Sequence, residues 1–271
     1  MTIFQAFILG IVQGITEFLP ISSSGHLVLT PFLLNWQIPE EQVFVFDVLV
    51  QIGTLVAVIA FFWADLWAIL TAFLSSFWKR EAYQQQDVRM GLYLIVATIP
   101  AVVLGLLLKD TVEAAFSSPT FTVLALVFTA VLMIAAELIG KRTRQDLTGI
   151  GWLDALVIGL FQALALFPGV SRSGSTISGG LFRQLDRPAA ARFSFLLSVP
   201  VMLGAGGLAV FDLLDVPSLG SFILPMAVGF VTAAVVGYLS IRWLLSYLTK
   251  NPLTHFSIYL ILLSTLILIF K

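Results

Sequence analysis

The chain has 271 residues, 59% of them hydrophobic, with a mean hydropathy of +1.03, 11% charged residues and a formal charge of −1. A soluble domain carries about 25% charged residues, so this composition excludes an ordinary water-soluble fold and describes a chain whose elements face lipid or one another. It contains no cysteine, which removes disulfides and thiolate chemistry, and it offers no basic face for nucleic acid.

Backbone polar groups must be satisfied internally in hydrocarbon, so the spans are helices or a closed barrel. The apolar runs lack the alternation of barrel strands, and the expectation is an all-α membrane protein. The N-terminus, MTIFQAFILGIVQG, has no basic residue ahead of its apolar stretch. It is therefore read as mature protein and not as a signal peptide. The first apolar segment runs from Ile3 to about Leu19 and carries Gln5, Gln13, Thr16 and Glu17. After Pro20 and three serines, a second short piece runs from His26 to Leu34. Each is shorter than the roughly 20 residues that cross a bilayer, so the pair reads as a re-entrant helix-loop-helix hairpin.

Val43–Trp63 is a predicted span with Asp47 and Gln51 one turn apart near its start. Ala64–Ser76, near Trp63, Trp67 and Trp78, either lies at the interface or extends that span. The polar loop KREAYQQQDVR follows. Met90–Leu108, with Pro100 as a bend, and Phe121–Ile139 are two further spans, and the basic loop GKRTRQDLTG closes this half. The opening pattern then returns. Gly10–Gly25 reads GIVQGITEFLPISSSG, and Gly159–Gly174 reads GLFQALALFPGVSRSG at a constant offset of 149. A polar connector, Leu181–Arg192, leads to three more spans, Phe193–Val210, Phe222–Leu239 and Phe256–Phe270.

The predicted architecture is one membrane domain over residues 1–271. It has six transmembrane helices plus two re-entrant hairpins in inverted-topology repeat, the halves covering about 1–140 and 150–271. In this topology eleven of the fourteen basic residues fall on one side, which the positive-inside rule makes cytoplasmic. Paired broken segments at matching places in two halves point to a central binding site.

An ionisable residue at membrane depth is a functional candidate by default. Glu17 is the strongest, and helical spacing puts Gln13 on its face. Ser22, Ser23 and Ser24, closing on Gly25, offer hydroxyls and inward N–H groups suited to an anion, or caps for the next helix. His26 suits proton or phosphoryl transfer. In the second tip, Pro168–Thr176, Arg172 stands among small hydroxyl residues, with Ser171, Ser173 and Thr176 beside it as further candidates for contacting substrate. An arginine fork there fits phosphate oxygens; an ion pair with Glu17 is the structural alternative. Asp47 and Gln51 face either the cavity or polar neighbours, and His255 reads as interfacial.

The carboxylate-containing first motif, its SSSGH ending and PGVSRSGST together closely resemble the bacterial undecaprenyl-diphosphate phosphatase family, the integral-membrane type associated with bacitracin resistance. The resemblance covers essentially the whole chain. It implies removal of the terminal phosphate from undecaprenyl diphosphate, recycling the lipid carrier for peptidoglycan and other envelope polymers. It implies six spans and two re-entrant hairpins in the inner membrane, with the active site open to the outer face and the basic loops cytoplasmic. The family's essential serine and histidine fall on Ser23 and His26, and its arginine on Arg172. A divalent cation, Mg2+ or Ca2+, is expected on Glu17, with Gln13 as a second candidate ligand. The family's first motif carries Glu or Gln, three residues, then Glu, so with Gln13 and Glu17 this chain has the Gln variant. The expected partner is a long-chain prenyl diphosphate lipid, with a homodimer admitted. Attack by Ser23, His26 or water is left open, Ser23 assisted by His26 being preferred. The rival reading is a transporter or flippase of a prenyl (di)phosphate lipid, since inverted repeats with broken elements are also transporter architecture.

Overall fold

A computed structural model describes residues 1–77, 85–116, 119–140, 145–213 and 223–270. The basic residues Lys79, Arg80, Lys141, Arg142 and Arg144, which carry much of the predicted charge asymmetry, lie outside the described residues, as do Lys271 and Phe222. Within the described residues the protein is all-helical, with one isolated bridge between Gln145 and Leu185.

The first hairpin is α1 (Ile3–Thr16) and α2 (Ser23–Leu33). Then come α3 (Glu40–Phe61), α4 (Trp63–Ser76), α5 (Gln86–Leu107), α6 (Lys109–Phe116) and α7 (Pro119–Ile139). The second hairpin is α8 (Trp152–Leu164) and α9 (Arg172–Phe182), followed by α10 (Arg187–Leu213), α11 (Ile223–Leu248) and α12 (Thr254–Phe270). Among the described residues, four segments are long and apolar enough to cross a membrane: Gln42–Phe61, Gln86–Leu107, Thr120–Ile139 and Ile223–Leu248. The protein is a multi-pass membrane protein.

Several boundaries differ from the sequence reading for identifiable reasons. The Ala64–Ser76 stretch is a separate helix, because the backbone breaks at Phe62 (φ −101°, ψ 22°). The polar connector is largely helical: the Asp186 side chain accepts from the Ala189 amide at 2.7 Å, starting α10 six residues before Phe193. Pro188 is tolerated there because first-turn amides have no helical partner. α11 continues past Leu239 because Ile241, Leu244 and Leu248 remain buried on one face. The short helix α6 was not anticipated.

In lipid, helices associate through close packing at small residues. α1 packs against α11 across Gly10 and Gly14, where an added Cβ would lie 2.8 Å from Gly229 O and from Gly237 N. α8 packs against α5 across Gly159, where it would lie 2.4 Å from Ala97 O. α3 lies against α11 and α10, and α7 against α9 and α12. The largest apolar cluster holds Phe18 and Phe195 edge to face at 5.4 Å. Phe18 follows Glu17 directly, so burying its ring fixes the backbone that carries the carboxylate.

Candidate active site

Each hairpin breaks where its sequence lacks a continuing helical option. α1 ends at Thr16 with Glu17 as cap, its amide still donating to Gln13 O at 2.9 Å. That last turn keeps Gln13 and Glu17 on one face, and Gln13 Nε2 donates to Glu17 Oε2 at 3.2 Å and to Thr54 Oγ1 of α3 at 3.5 Å. Pro20 has no amide to continue the ladder. Ser22 then adopts φ 71°, a left-handed conformation that costs a non-glycine residue about 1–3 kcal/mol. As N-cap of α2 it accepts from Gly25 N at 3.4 Å. The second hairpin turns at Gly169 (φ 88°), where left-handed backbone is unstrained, and Ser171 caps α9 by accepting from Gly174 N at 3.1 Å.

The first helical positions after the two caps are Ser23 and Arg172, related by the same offset of 149. They meet on one carboxylate. Ser23 Oγ donates to Glu17 Oε2 at 2.8 Å, and Arg172 Nη2 pairs with Glu17 Oε1 at 2.5 Å. Arg172 also reaches Met202 Sδ at 3.6 Å, while its Nη1 is buried without a partner. The tips are tied together by Gly169 N donating to Ser24 Oγ (3.4 Å) and Ser173 Oγ donating to Leu19 O (3.1 Å).

These groups line a cavity of about 220 Å³ that includes Glu17, Ser22, Ser23, Ser24, Ser171 and Arg172. Gln51 also lines it; Asp47 does not. Two helix N-termini and a guanidinium face a single carboxylate, a surplus of positive potential that suits a multiply charged anion. A larger cavity of about 640 Å³ is lined by Asp65, Asp87, Asp146 and Asp186 around Arg192, the opposite sign. There the Thr148 hydroxyl and amide hold the exposed Asp146 carboxyl below its ordinary range.

Other predicted residues are placed differently. Thr176 is fully buried and spends its hydroxyl on Arg172 O at 2.8 Å and Ser194 at 2.6 Å, outside the cavity lining. Ser173 bonds backbone and Ser171, not open space. The preferred pairing of His26 with Ser23 is not made: His26 Nδ1 lies 2.8 Å from Ser22 O and Nε2 lies 2.7 Å from Tyr259 OH. His255 pairs with Tyr247, away from the cavity. Sequence reasoning missed Tyr259, Met202 and Thr54. Nothing in an apolar helical run marks which residue will touch a group 233 positions away.

The fold and site together define a polytopic membrane protein with a buried, phosphate-suited site between two broken helical hairpins. The chain belongs to the family described as "Bacitracin resistance protein BacA", whose sequence model matches residues 6–266. It is 46% identical over 277 residues to the undecaprenyl-diphosphatase of Chlorobium phaeovibrioides, covering 99% of this chain and 97% of that protein. It is also 46% identical to the undecaprenyl-diphosphatase of Chloroherpeton thalassium (99% and 96% covered) and 43% identical to that of Moorella thermoacetica (98% and 97%). The resemblance carried by the two motifs is thus a family membership along the whole chain.

Proposed function

We propose that this protein is an undecaprenyl-diphosphate phosphatase, hydrolysing undecaprenyl diphosphate to undecaprenyl phosphate and orthophosphate and so recycling a lipid carrier for envelope polymers. The observation that carries this is the meeting of Ser23 and Arg172, from separate hairpins, on Glu17 in one cavity. Its volume is below the roughly 300–1,000 Å³ of a pocket that encloses a drug-sized ligand. A diphosphate headgroup fits, and the prenyl chain stays along the lipid-facing surface.

Phosphoryl transfer needs placement and charge neutralisation more than covalent help from the protein. In this reading Arg172 exchanges Glu17 for phosphate oxygens, and its unpartnered Nη1 supplies a second donor. Glu17 Oε2 takes the hydroxyl proton of Ser23 as Oγ attacks the terminal phosphorus. The bridging P–O bond breaks, undecaprenyl phosphate leaves with the electron pair, and water then releases orthophosphate from the serine. His26 assists by holding the Ser22 carbonyl. Ser22, Ser24 and Ser171 contribute hydroxyls along the cavity wall, while Ser173 and Thr176 support the arginine turn.

Among the described residues no cluster of three or more His, Cys, Asp or Glu is gathered. Gln13 Oε1, however, is buried without a partner beside Glu17. Oxygen donors from one carboxylate and one amide, completed by substrate phosphates, suit Mg2+ or Ca2+. Glu17 and Gln13 would hold that ion, which when bound offsets the charge of the diphosphate.

We further read the chain as six spans, α3, α5, α7, α10, α11 and α12, with two re-entrant hairpins. Its halves, about 1–140 and 150–271, form an inverted repeat in the bacterial inner membrane. The matched packing of α1 on α11 and α8 on α5 supports this, as does the cavity position shared by Glu17 and Leu166. The site then opens to the outer face and the basic loops are cytoplasmic.

The test is phosphate release from a long-chain prenyl diphosphate by purified protein with Mg2+ or Ca2+. Loss of release in separate Glu17→Ala and Arg172→Ala variants that remain folded is expected. Full activity in both would overturn the site. Lipid movement in sealed vesicles with no phosphate release would turn the reading to a transporter.

A further inference from the structure

Tyr259 of α12 is the only aromatic residue stacked on His26, with ring centroids 5.7 Å apart and planes 16° from parallel among the described residues. Its hydroxyl lies 2.7 Å from His26 Nε2. The other ring nitrogen faces the Ser22 carbonyl, which can only accept, so Nδ1 carries the proton. In the neutral ring Nε2 is then an acceptor, and the phenol donates. The two contacts together select one tautomer and one ring orientation.

The Ser22 carbonyl is also bonded by the His26 amide at 3.3 Å, so ring and backbone both grip it. Ser22 is the strained residue of the tip, and such a conformation persists only when its surroundings over-determine it. The matching residue, Ser171, is relaxed at φ −72°, and its amide is held by Thr129 Oγ1 at 3.2 Å. Ser22 is also buried, but the helix that follows it, α2, buries only Gly25 among its residues. The surroundings of Tyr259 raise the stakes of its bond, since Ile258 and Leu262 beside it are exposed on α12, an apolar helix that the proposed function reads as a span. Hydrocarbon offers no replacement partner for either a phenol or an imidazole nitrogen.

We propose that Tyr259 is a positioning residue. Its phenol fixes the His26 ring, and through that ring the Ser22 carbonyl, in the conformation that presents Ser23 and Ser24 to the cavity. This rests on the site described under the proposed function, with the second half of the chain thereby supplying both an arginine and a strut to the first.

The experiment compares Tyr259→Phe with the parent protein by phosphate-release kinetics and by 15N-histidine NMR. The chain has two histidines, and a His255→Gln background leaves His26 as the single labelled ring. In the parent, Nδ1 is protonated and Nε2 is a bare, hydrogen-bonded nitrogen. Tyr259→Phe is expected to shift the Nε2 signal and to lower kcat about tenfold, with KM changed less than about twofold. An unmoved Nε2 signal overturns the proposal whatever happens to kcat, and so does a moved signal with unchanged kcat. Glu17→Ala and Arg172→Ala run alongside: if both still release phosphate, the site itself is wrong. If both are inactive while Tyr259→Phe matches the parent, only the role of Tyr259 falls.

Discussion

The two hairpin tips begin from the same sequence pattern and end as different devices. The second is sunk in the protein: every residue of α9 from Ser173 to Leu181 is buried. Gly174, Gly179 and Gly180 give that helix a surface small enough for close approach, and its turn is eased by Gly169. The first tip lies at the edge, with α2 buried only at Gly25, and its turn is made by a strained serine. At the same helical position one tip carries a hydroxyl and the other a guanidinium. The same sequence pattern thus gives a buried anchor that holds charge and an outer margin that, in the proposed function, holds the attacking oxygen. A charged group needs fixed surroundings to offset its desolvation, whereas a nucleophile needs access to a lipid headgroup.

Replacing the anchor's charge gives the largest effect. Arg172→Ala is expected to lower kcat/KM by roughly 10²–10³-fold, and Arg172→Lys to recover little of it because a point charge does not reproduce the fork. Phosphate-release kinetics read both, and near-complete rescue by lysine would break the distinction between clamp and margin.

Next in size is the packing that sets the anchor's depth. In Gly159→Ala the new Cβ would lie 2.4 Å from Ala97 O, so α8 must move off α5. A loss of about 1–3 kcal/mol is expected, seen as a lower unfolding midpoint in detergent. Gly10→Ala, at 2.8 Å from Gly229 O, should cost less. The reverse order would place the tighter half at the first hairpin.

The smallest changes carry opposite signs. Ser171→Ala removes a buried cap and is expected to destabilise by about 1 kcal/mol. Ser22→Gly also loses a cap but relieves the left-handed backbone, so stability should hold or rise slightly while phosphate release slows as Ser23 loses its orientation. Thermal unfolding beside kinetics separates the pair. A Ser22→Gly protein as active as the parent would show that strain in the first tip has no function.

How much of this was readable beforehand follows from the range of each interaction. Gln13 and Glu17 are one turn apart, so helical period alone put them on one face. Glu17 and Arg172 are 155 positions apart, yet an unpaired charge in each of two hydrophobic hairpins made their meeting foreseeable. The two hairpins were visible because proline, glycine and serine clusters interrupt apolar runs too short to span. Tyr259 had no such mark, since a tyrosine in a terminal apolar helix is ordinary interfacial material. Thr176 meets the same limit: hydroxyl residues near a charge look like ligands, and only packing shows that this one turns inward to Ser194. The early start of α10 was obscured because Asp186, its capping residue, sits in a run that composition alone reads as loop.

The Glu17–Arg172 contact has a consequence for turnover. Each group is the other's partner, so in the proposed function a headgroup enters by ligand exchange, and part of its attraction to the arginine is spent on parting the pair. The same exchange runs in reverse after cleavage. The carboxylate is tethered beside the guanidinium and competes with orthophosphate at a high effective concentration. The enzyme therefore carries its own displacing anion, and product inhibition by free phosphate should be weak.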